Sequence, residues 1–255
     1  MLQYYFNNTG IVILAAGRGK RLGCKDIPKV LRKLNNRPIV SYILEELENN
    51  GIDKKQISLV VGFQKEKVKE AFGTDYIYAI QEELLGTAHA AHTGEKELNE
   101  EIEDFLIINS DDSAFYSYKT LENFVARHKS NNNDITLLTC YKDDPFGLGR
   151  IIRDEAGKVI AIREKENIRE YERNIKEIST GTFCFRRNWF NEIYPKLKLI
   201  PNLGEFGLPS FIDEAIASDA RFEAIKLANP NEWFGINTKE QLREADLLKR
   251  RLRSC

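Results

Sequence analysis

The chain has 255 residues, of which 42% are hydrophobic and 30% charged, and its formal net charge is −1. Such a length can bury a sizeable core, as one large domain or two small ones. The near-neutral charge gives no overall positive field, so we expect neither a nucleic acid nor a membrane as partner.

The positions of the cysteines and the first residues of the chain indicate where in the cell the protein is located. The four cysteines lie far apart without a C-x-x-C pair: Cys24, Cys140, Cys184 and Cys255. This spacing argues against a disulfide framework or a zinc site and suits a reducing cytoplasm. The first residues, MLQYYFNNTG, contain no basic segment typical of a signal peptide, and the apolar run after them is too short to span a membrane. We therefore predict a cytoplasmic protein.

In the first half of the chain, short β-branched runs alternate with amphipathic helical patterns. Strands are predicted at 11–15, 56–62, 76–80, 104–109 and 134–141. Helices are predicted between them at 38–50, 64–72, 87–99 and 117–131. This alternation predicts an α/β fold, a three-layer, Rossmann-like, mostly parallel sheet with helices on both faces.

The pattern changes after residue 148. The segment GRIIRDEAGKVIAIRE predicts a β-hairpin around a turn at 154–157. The elements predicted after it are a strand at 179–186, a helix at 187–197, a helix from about 205 to 218, a strand at 221–227 and a helix at 238–253. With no internal repeat and no long linker, a single domain over 1–255 is the simplest organisation.

Three loops are expected to share one crevice. Ligands of parallel α/β sheets bind beyond the carboxyl ends of the strands. The loops that follow the first, third and fourth strands cover 15–29, 81–88 and 109–115. All three are unusual in composition.

The first of these loops combines small residues with cations. Small residues let backbone N–H groups approach a bulky anion, and the cations add fixed positive charge. The small residues are Ala15, Ala16, Gly17 and Gly19, and the cations are Arg18, Arg21 and Lys29. Together they predict a polyphosphate cradle; the alternative is a glycine-rich turn with solvated cations. The loop matches neither a P-loop, because Arg21 follows Gly19-Lys20 and position 14 is Leu, nor a dinucleotide fingerprint, whose third glycine would fall on Leu22.

LAAGRGKRLGCKDIPKVL, residues 14–31, resembles the signature L-x-x-G-x-G-T-R-x-x-x-x-x-P-K of sugar-nucleotide pyrophosphorylases. More narrowly, the chain resembles the uridylyltransferase domain of N-acetylglucosamine-1-phosphate uridylyltransferases. Further matches follow in order: QEELLGTAHA at 81–90, Asp111, GLGRI at 147–151, REK at 163–165, EISTG at 177–181 and GIN at 235–237. The resemblance implies transfer of a nucleoside monophosphate to a sugar 1-phosphate with release of pyrophosphate, with UTP as the favoured donor.

The resemblance also implies roles for particular residues. Arg21 would hold the β- and γ-phosphates, and Lys29 would contact the phosphate that is displaced. Asp111 and Asn237 would bind Mg²⁺, which prefers oxygen ligands. Asp111 is preferred to its neighbour Asp112, which we expect to cap the following turn. Leu14 and residues 15–19 complete the triphosphate site.

Two further groups of residues match the sites for the base and the sugar. The base-reading loop is predicted to use Gln81, Gly86 and Thr87; a glutamine amide both donates and accepts hydrogen bonds. The sugar-binding site is predicted to contain Gly149, Glu164, Ser179 and Thr180. The first half, to about residue 115, would therefore bind the nucleotide, and 116–255 would bind the sugar and end in the terminal helix.

The chain departs from the resembled pattern at three positions. Ser179 replaces the Asn of E-x-N-T-G, Ser110 replaces a glycine, and Lys20 replaces the Thr of G-T-R. Because of the change at Ser179, the sequence does not predict which sugar phosphate is the acceptor. The same chemistry with CTP or dTTP and another sugar or alcohol phosphate is therefore an alternative, as is a non-catalytic nucleotide-sugar-binding protein. Since no hexapeptide repeat follows, we expect no acetyltransferase activity, and the oligomeric state is not predicted.

Overall fold

The computed structural model describes residues 4–24, 26–163, 165–200 and 203–253. The strands of this part of the chain are β1 (Thr9–Leu14), β2 (Lys33–Leu34), β3 (Arg37–Pro38), β4 (Ile57–Val61), β5 (Ile77–Ile80), β6 (Asp104–Asn109), β7 (Ile135–Tyr141), β8 (Arg150–Arg153), β9 (Val159–Arg163), β10 (Glu177–Arg186) and β11 (Phe222–Lys226). The α-helices are α1 (Ser41–Asn49), α2 (Lys65–Phe72), α3 (Thr87–Glu95), α4 (Tyr118–Ser130), α5 (Arg187–Ile193), α6 (Ser210–Ala217) and α7 (Lys239–Arg253).

Seven of the strands form one sheet in the order β11-β7-β10-β6-β1-β4-β5. Neighbouring strands are parallel except at β10, which runs antiparallel to both β6 and β7. β2 pairs with β3, and β8 pairs with β9 as the predicted hairpin. The predicted α/β class and mostly parallel sheet are therefore confirmed.

Residue alternation along the central strands divides the core into two layers. In β1, Ile11 and Ile13 belong to one apolar cluster, and Val12 belongs to the cluster on the opposite face of the sheet. All three are fully buried, as is expected for a parallel sheet that is covered on both faces. A third, smaller cluster joins α7 to β2 through Ala245 and Leu34.

Several predicted boundaries are wrong for local reasons. The helix predicted from residue 38 begins at Ser41, because β2 and β3 form a tight hairpin around Asn35 and Asn36, whose φ values are 47° and 66°. Two consecutive asparagines are a signal for such a turn that our prediction missed. The helix predicted from about 205 begins only at Ser210, and the helix predicted to reach 197 ends at Ile193 before a 3₁₀ turn that contains Pro195.

The described residues contain no helix that is long and apolar enough to cross a bilayer. Cys24, Cys140 and Cys184 are buried free thiols, and Cys255 lies outside the described residues.

Candidate functional site

A cavity of about 550 Å³ lies beyond the carboxyl ends of β1, β5 and β6. The three loops predicted to share a crevice all contribute to its wall, as do Glu205 and Asn237 from the second half of the chain. From the loops, its lining includes Ala16, Gly17, Gly19, Arg21, Lys29, Gln81, Gly86, Thr87, Asn109, Ser110 and Asp111. Sequence elements that are more than 200 residues apart therefore meet at one edge of the sheet.

The glycine-rich loop turns back on itself at Gly19. Gly19 has φ +65°, and a Cβ there would lie 2.8 Å from the Cβ of Lys29, so a larger residue would displace that lysine. Pro28, with φ −55°, directly precedes the 3₁₀ turn Lys29–Leu31. The backbone conformation of the loop therefore places Lys29 at the wall of the cavity.

Four predicted site residues form one polar cluster at the bottom of the cavity. The Lys29 ammonium makes an ion pair with the Asp111 carboxylate. It also donates to the side-chain oxygen of Asn237 at 3.0 Å, and a guanidinium nitrogen of Arg21 donates to the same oxygen at 3.0 Å. Two cations therefore converge on a carboxylate and an amide oxygen.

The backbone and α7 hold Asp111 and Asn237 in place. The Ile236 N–H donates to the Asp111 carbonyl oxygen at 2.9 Å. Gln241 accepts hydrogen bonds from the N–H groups of Asn237 (2.8 Å) and Thr238 (3.1 Å), and its own N–H donates to the Thr238 hydroxyl. Sequence reasoning missed Gln241, although T-x-x-Q at 238–241 is a capping-box signal.

The cluster fits a hard divalent cation. Asp111 and Asn237 both turn oxygen atoms toward the Lys29 ammonium, so their oxygens already share one positively charged neighbour. Mg²⁺ commonly takes one or two protein oxygens and completes its shell with phosphates and water. The described residues contain no group of three or more His, Cys, Asp or Glu side chains that could hold a metal without a substrate.

Asp112 does not have the turn-capping role that we predicted for it. β6 ends at Asn109, so neither aspartate belongs to the strand. The Asp112 carboxylate accepts from the Asn109 amide at 3.4 Å and does not cap a turn, and its second oxygen is buried without a partner within the described chain. Burial and the negative charge of Asp111 raise the pKa of Asp112 well above its ordinary value, which favours the neutral acid.

The loop at 81–88, which we predicted to read the base, is held by segments on both sides. Gly86 has φ +103°, and a Cβ there would lie 2.8 Å from the backbone nitrogen of Phe206. The Thr87 hydroxyl accepts from the Leu208 N–H at 3.0 Å. Gln81 is 4% exposed and donates to the Gly86 carbonyl at 3.2 Å. This loop is therefore held by the chain before α6, a contact that the sequence did not predict.

A second cavity of about 420 Å³ adjoins the first and shares three residues of its polar cluster, all except Lys29. The residues common to both are Arg21, Thr87, Asn109, Asp111 and Asn237. Gly149, Ser179 and Thr180, which were predicted to bind the sugar, line the second cavity. Lys165 also lines it and was not assigned, although it lies in the matched motif REK.

An irregularity in β10 shapes this second cavity. The pairing of β10 with β7 shifts register between Ser179 and Phe183, and Gly181 has φ +75° there. A Cβ on Gly181 would overlap the Asn109 side chain. The Ser179 hydroxyl accepts from the Gly181 N–H at 3.3 Å, and the Thr180 hydroxyl donates to the Leu138 carbonyl oxygen of β7 at 2.7 Å, so both hydroxyls have partners within the protein.

Two predicted site residues do not line these cavities, and a third cannot be placed. Ala15 is buried directly after β1, and its N–H donates to the Val60 carbonyl oxygen of β4 at 2.9 Å. Arg18 is exposed, with its guanidinium 5.7 Å from the centre of the Phe63 ring. Glu164 lies outside the described residues.

Comparisons with known proteins agree with the fold and the motifs. The family model for nucleotidyl transferase matches residues 11–246. The chain is 34% identical to a bifunctional protein GlmU of Desulfotalea psychrophila and 35% identical to those of Acetivibrio thermocellus and Carboxydothermus hydrogenoformans, over 94%, 92% and 91% of this chain. It spans 70% of the first relative and 50% of the other two.

Among solved structures, a putative glucose-1-phosphate thymidylyltransferase from Bacillus anthracis, in complex with a sucrose, has the same fold. Its TM-score is 0.75 at 20% identity, over 94% of both chains. The predicted resemblance to sugar-nucleotide pyrophosphorylases is confirmed, and the chain belongs to the nucleotidyl transferase family.

Proposed function

We propose that this nucleotidyl transferase family member transfers the nucleoside monophosphate of a triphosphate, with UTP favoured, to a sugar 1-phosphate. An anionic oxygen of the sugar 1-phosphate attacks the α-phosphorus, the bond from that phosphorus to the bridging oxygen breaks, and pyrophosphate leaves. Because the attacking oxygen is already ionised, the step needs no general base.

The observation that carries the proposal is the cluster of Arg21, Lys29, Asp111 and Asn237. All four line the first cavity, and all except Lys29 also line the second. The cavity with the glycine-rich loop and Gln81 has room for a nucleoside triphosphate. The adjoining cavity, with Gly149 and Ser179, has room for the acceptor. The reacting phosphates would then meet at the cluster.

Electrostatics explains why cations are needed there. Two unit negative charges 4 Å apart repel by about 4 kcal/mol at an effective dielectric constant of 20. Transfer between a triphosphate and a sugar phosphate brings several such pairs together, and positioning and countercharge supply most of the catalysis. Arg21 suits a forked contact with phosphate oxygens, and Lys29 supplies a compact point charge.

We propose Mg²⁺ as the cofactor, held by Asp111 and Asn237. When bound, it would neutralise phosphate charge and orient the phosphates. Lys29, which contacts both of these residues, and Arg21, which contacts Asn237, would keep the phosphate oxygens next to that site. Ser179 and Thr180 would form the acceptor wall, and Glu164 is proposed to accept hydrogen bonds from sugar hydroxyls.

The direct test is pyrophosphate release by the purified chain. UTP, dTTP and CTP are each incubated with Mg²⁺ and a panel of sugar 1-phosphates and alcohol phosphates, and products are identified by mass spectrometry. We expect a nucleoside-diphosphate sugar with UTP. Binding of UTP without turnover of any pair would instead favour a non-catalytic nucleotide-binding protein, and turnover with CTP or dTTP alone would refute the UTP assignment.

A further inference from the structure

The Gln81 amide has a defined orientation at the wall of the nucleotide cavity. Its nitrogen lies 3.2 Å from the Gly86 carbonyl oxygen and 3.0 Å from Nδ1 of His89. A carbonyl oxygen only accepts hydrogen bonds, so the amide atom that faces Gly86 must be the NH₂ group. Both protons of that group are then used, one on Gly86 and one on His89.

The Gln81 carbonyl oxygen is the part of the amide that remains available. It accepts no hydrogen bond from the described residues, and it is not among the fully buried polar atoms that lack a partner. Since Gln81 lines the cavity, the small accessible surface of this side chain presents an acceptor to a ligand. A free glutamine could offer either its oxygen or its nitrogen, but this one offers only oxygen.

His89 provides the second contact that fixes the amide. To accept from the Gln81 NH₂ group, its Nδ1 must carry no proton, so the ring is neutral with its proton on Nε2. Burial, together with the positive charge that His92 would carry, lowers the pKa of His89 below its ordinary value, which keeps the ring neutral. A hydrogen bond between the ring and the backbone of Glu83 favours the charged form but does not outweigh these effects.

We infer that His89 is a positioning residue that holds the Gln81 carbonyl oxygen toward the nucleotide cavity, so that the cavity selects a pyrimidine with a proton on N3. Uracil and thymine carry that proton and can donate it to an acceptor. Cytosine has an unprotonated N3, which would face the Gln81 oxygen as a second acceptor. This inference rests on the proposed function and narrows its donor to UTP or dTTP rather than CTP.

The test is equilibrium binding of UTP and CTP, in the presence of Mg²⁺ and without an acceptor, to the full chain and three variants. His89→Leu removes the ring acceptor. His89→Asn keeps an oxygen near the place of Nδ1. The matched control His92→Asn changes the next histidine on α3, which stacks on Tyr194 and does not contact Gln81.

For the parent, His89→Asn and His92→Asn we expect binding of UTP to exceed that of CTP by about tenfold or more. In His89→Leu we expect the ratio to fall by up to about tenfold, since the contact with Gly86 alone then holds the amide in this orientation. An unchanged ratio in His89→Leu, or no preference in the parent, would overturn the inference. If the parent bound neither triphosphate, the proposed function itself would fail.

A measurement on the parent protein covers the case in which His89→Leu does not fold. Nitrogen NMR of labelled histidine distinguishes the two neutral tautomers of His89. We expect an unprotonated Nδ1 at neutral pH. A proton on Nδ1 would refute the role of His89 without any substitution.

Discussion

The two sides of the proposed active site are built in different ways. The nucleotide side follows the carboxyl ends of the parallel strands β1, β5 and β6, and its glycines and cations lie on short, backbone-fixed turns. The acceptor side is built from the antiparallel strand β10, the β8–β9 hairpin and a loop whose Phe146 is 89% exposed. On the nucleotide side, Gly19 and Pro28 fix the backbone that carries Arg21 and Lys29, whereas on the acceptor side the proposed contacts come from short side chains such as Ser179.

The strongest test of the nucleotide side is Asp111→Asn. The change removes the carboxylate that pairs with Lys29 and is proposed to hold Mg²⁺. We expect the rate of pyrophosphate release to fall by roughly a thousandfold. Asp143→Asn, at a fully exposed carboxylate, is the control and should leave the rate unchanged. A loss of less than tenfold in Asp111→Asn would show that this carboxylate does not hold the metal.

The next test compares two arginines of the same loop. Arg21→Lys keeps the charge but loses the forked contact, and we expect kcat/KM for UTP to fall by roughly 10- to 100-fold. Arg18→Lys should cost less than about threefold, because Arg18 lies outside both cavities. Equal losses in steady-state kinetics would mean that Arg18 also reaches the triphosphate, as the sequence predicted.

Ser179→Asn tests the acceptor side. It places at position 179 the amide of the resembled pattern, and this residue lines the second cavity, where we propose that the acceptor binds. We expect the preference for N-acetylglucosamine 1-phosphate over glucose 1-phosphate to rise by about tenfold, since one added hydrogen bond is worth about that much. Ratios of kcat/KM for the two acceptors measure the change, with Ser179→Ala as the control. No shift would indicate that the acceptor does not reach this position.

The smallest expected effect concerns the stability of the acceptor side. Arg153 on β8 binds the Glu177 carboxylate on β10 through two hydrogen bonds, at 2.8 Å and 2.6 Å, and the Thr139 hydroxyl donates at 2.7 Å. Burial alone would raise the pKa of Glu177, but these hydrogen bonds outweigh burial and lower it. We expect Glu177→Gln to reduce the free energy of unfolding by about 1–2 kcal/mol at neutral pH.

This stability difference should depend on pH. A carboxylate whose pKa is lowered by folding stabilises the folded state above its unfolded pKa, and this contribution disappears as the pH falls through the folded pKa. Denaturant unfolding of the parent and Glu177→Gln should therefore give curves that converge in acid, below the ordinary pKa of 4.5. A constant difference across this range would mean that the charge of Glu177 is not involved.

The nucleotide side could be predicted more completely than the acceptor side. The order of strands and helices, Gly19, Pro28 and the cations are local signals, because each fixes the backbone or the charge within a few residues. The role of Gln241 and the start of α6 at Ser210 were missed, since they depend on contacts with distant segments. On the acceptor side, the register shift around Gly181 and its close approach to Asn109 join segments far apart in the chain, which no local pattern reveals.

The sequence by itself determined the α/β class, the buried strands and a loop rich in small residues and cations, because hydrophobic periodicity and backbone freedom act over short stretches of chain. Only the tertiary structure decided that Lys29, Asp111 and Asn237 touch, that Arg18 lies outside the cavity, and which atom of Gln81 faces it. Those outcomes depend on strand order and on hydrogen bonds between segments far apart in the chain. The strand order and these hydrogen bonds exist only in the folded chain, where the carboxyl ends of the strands lie at one edge of the sheet.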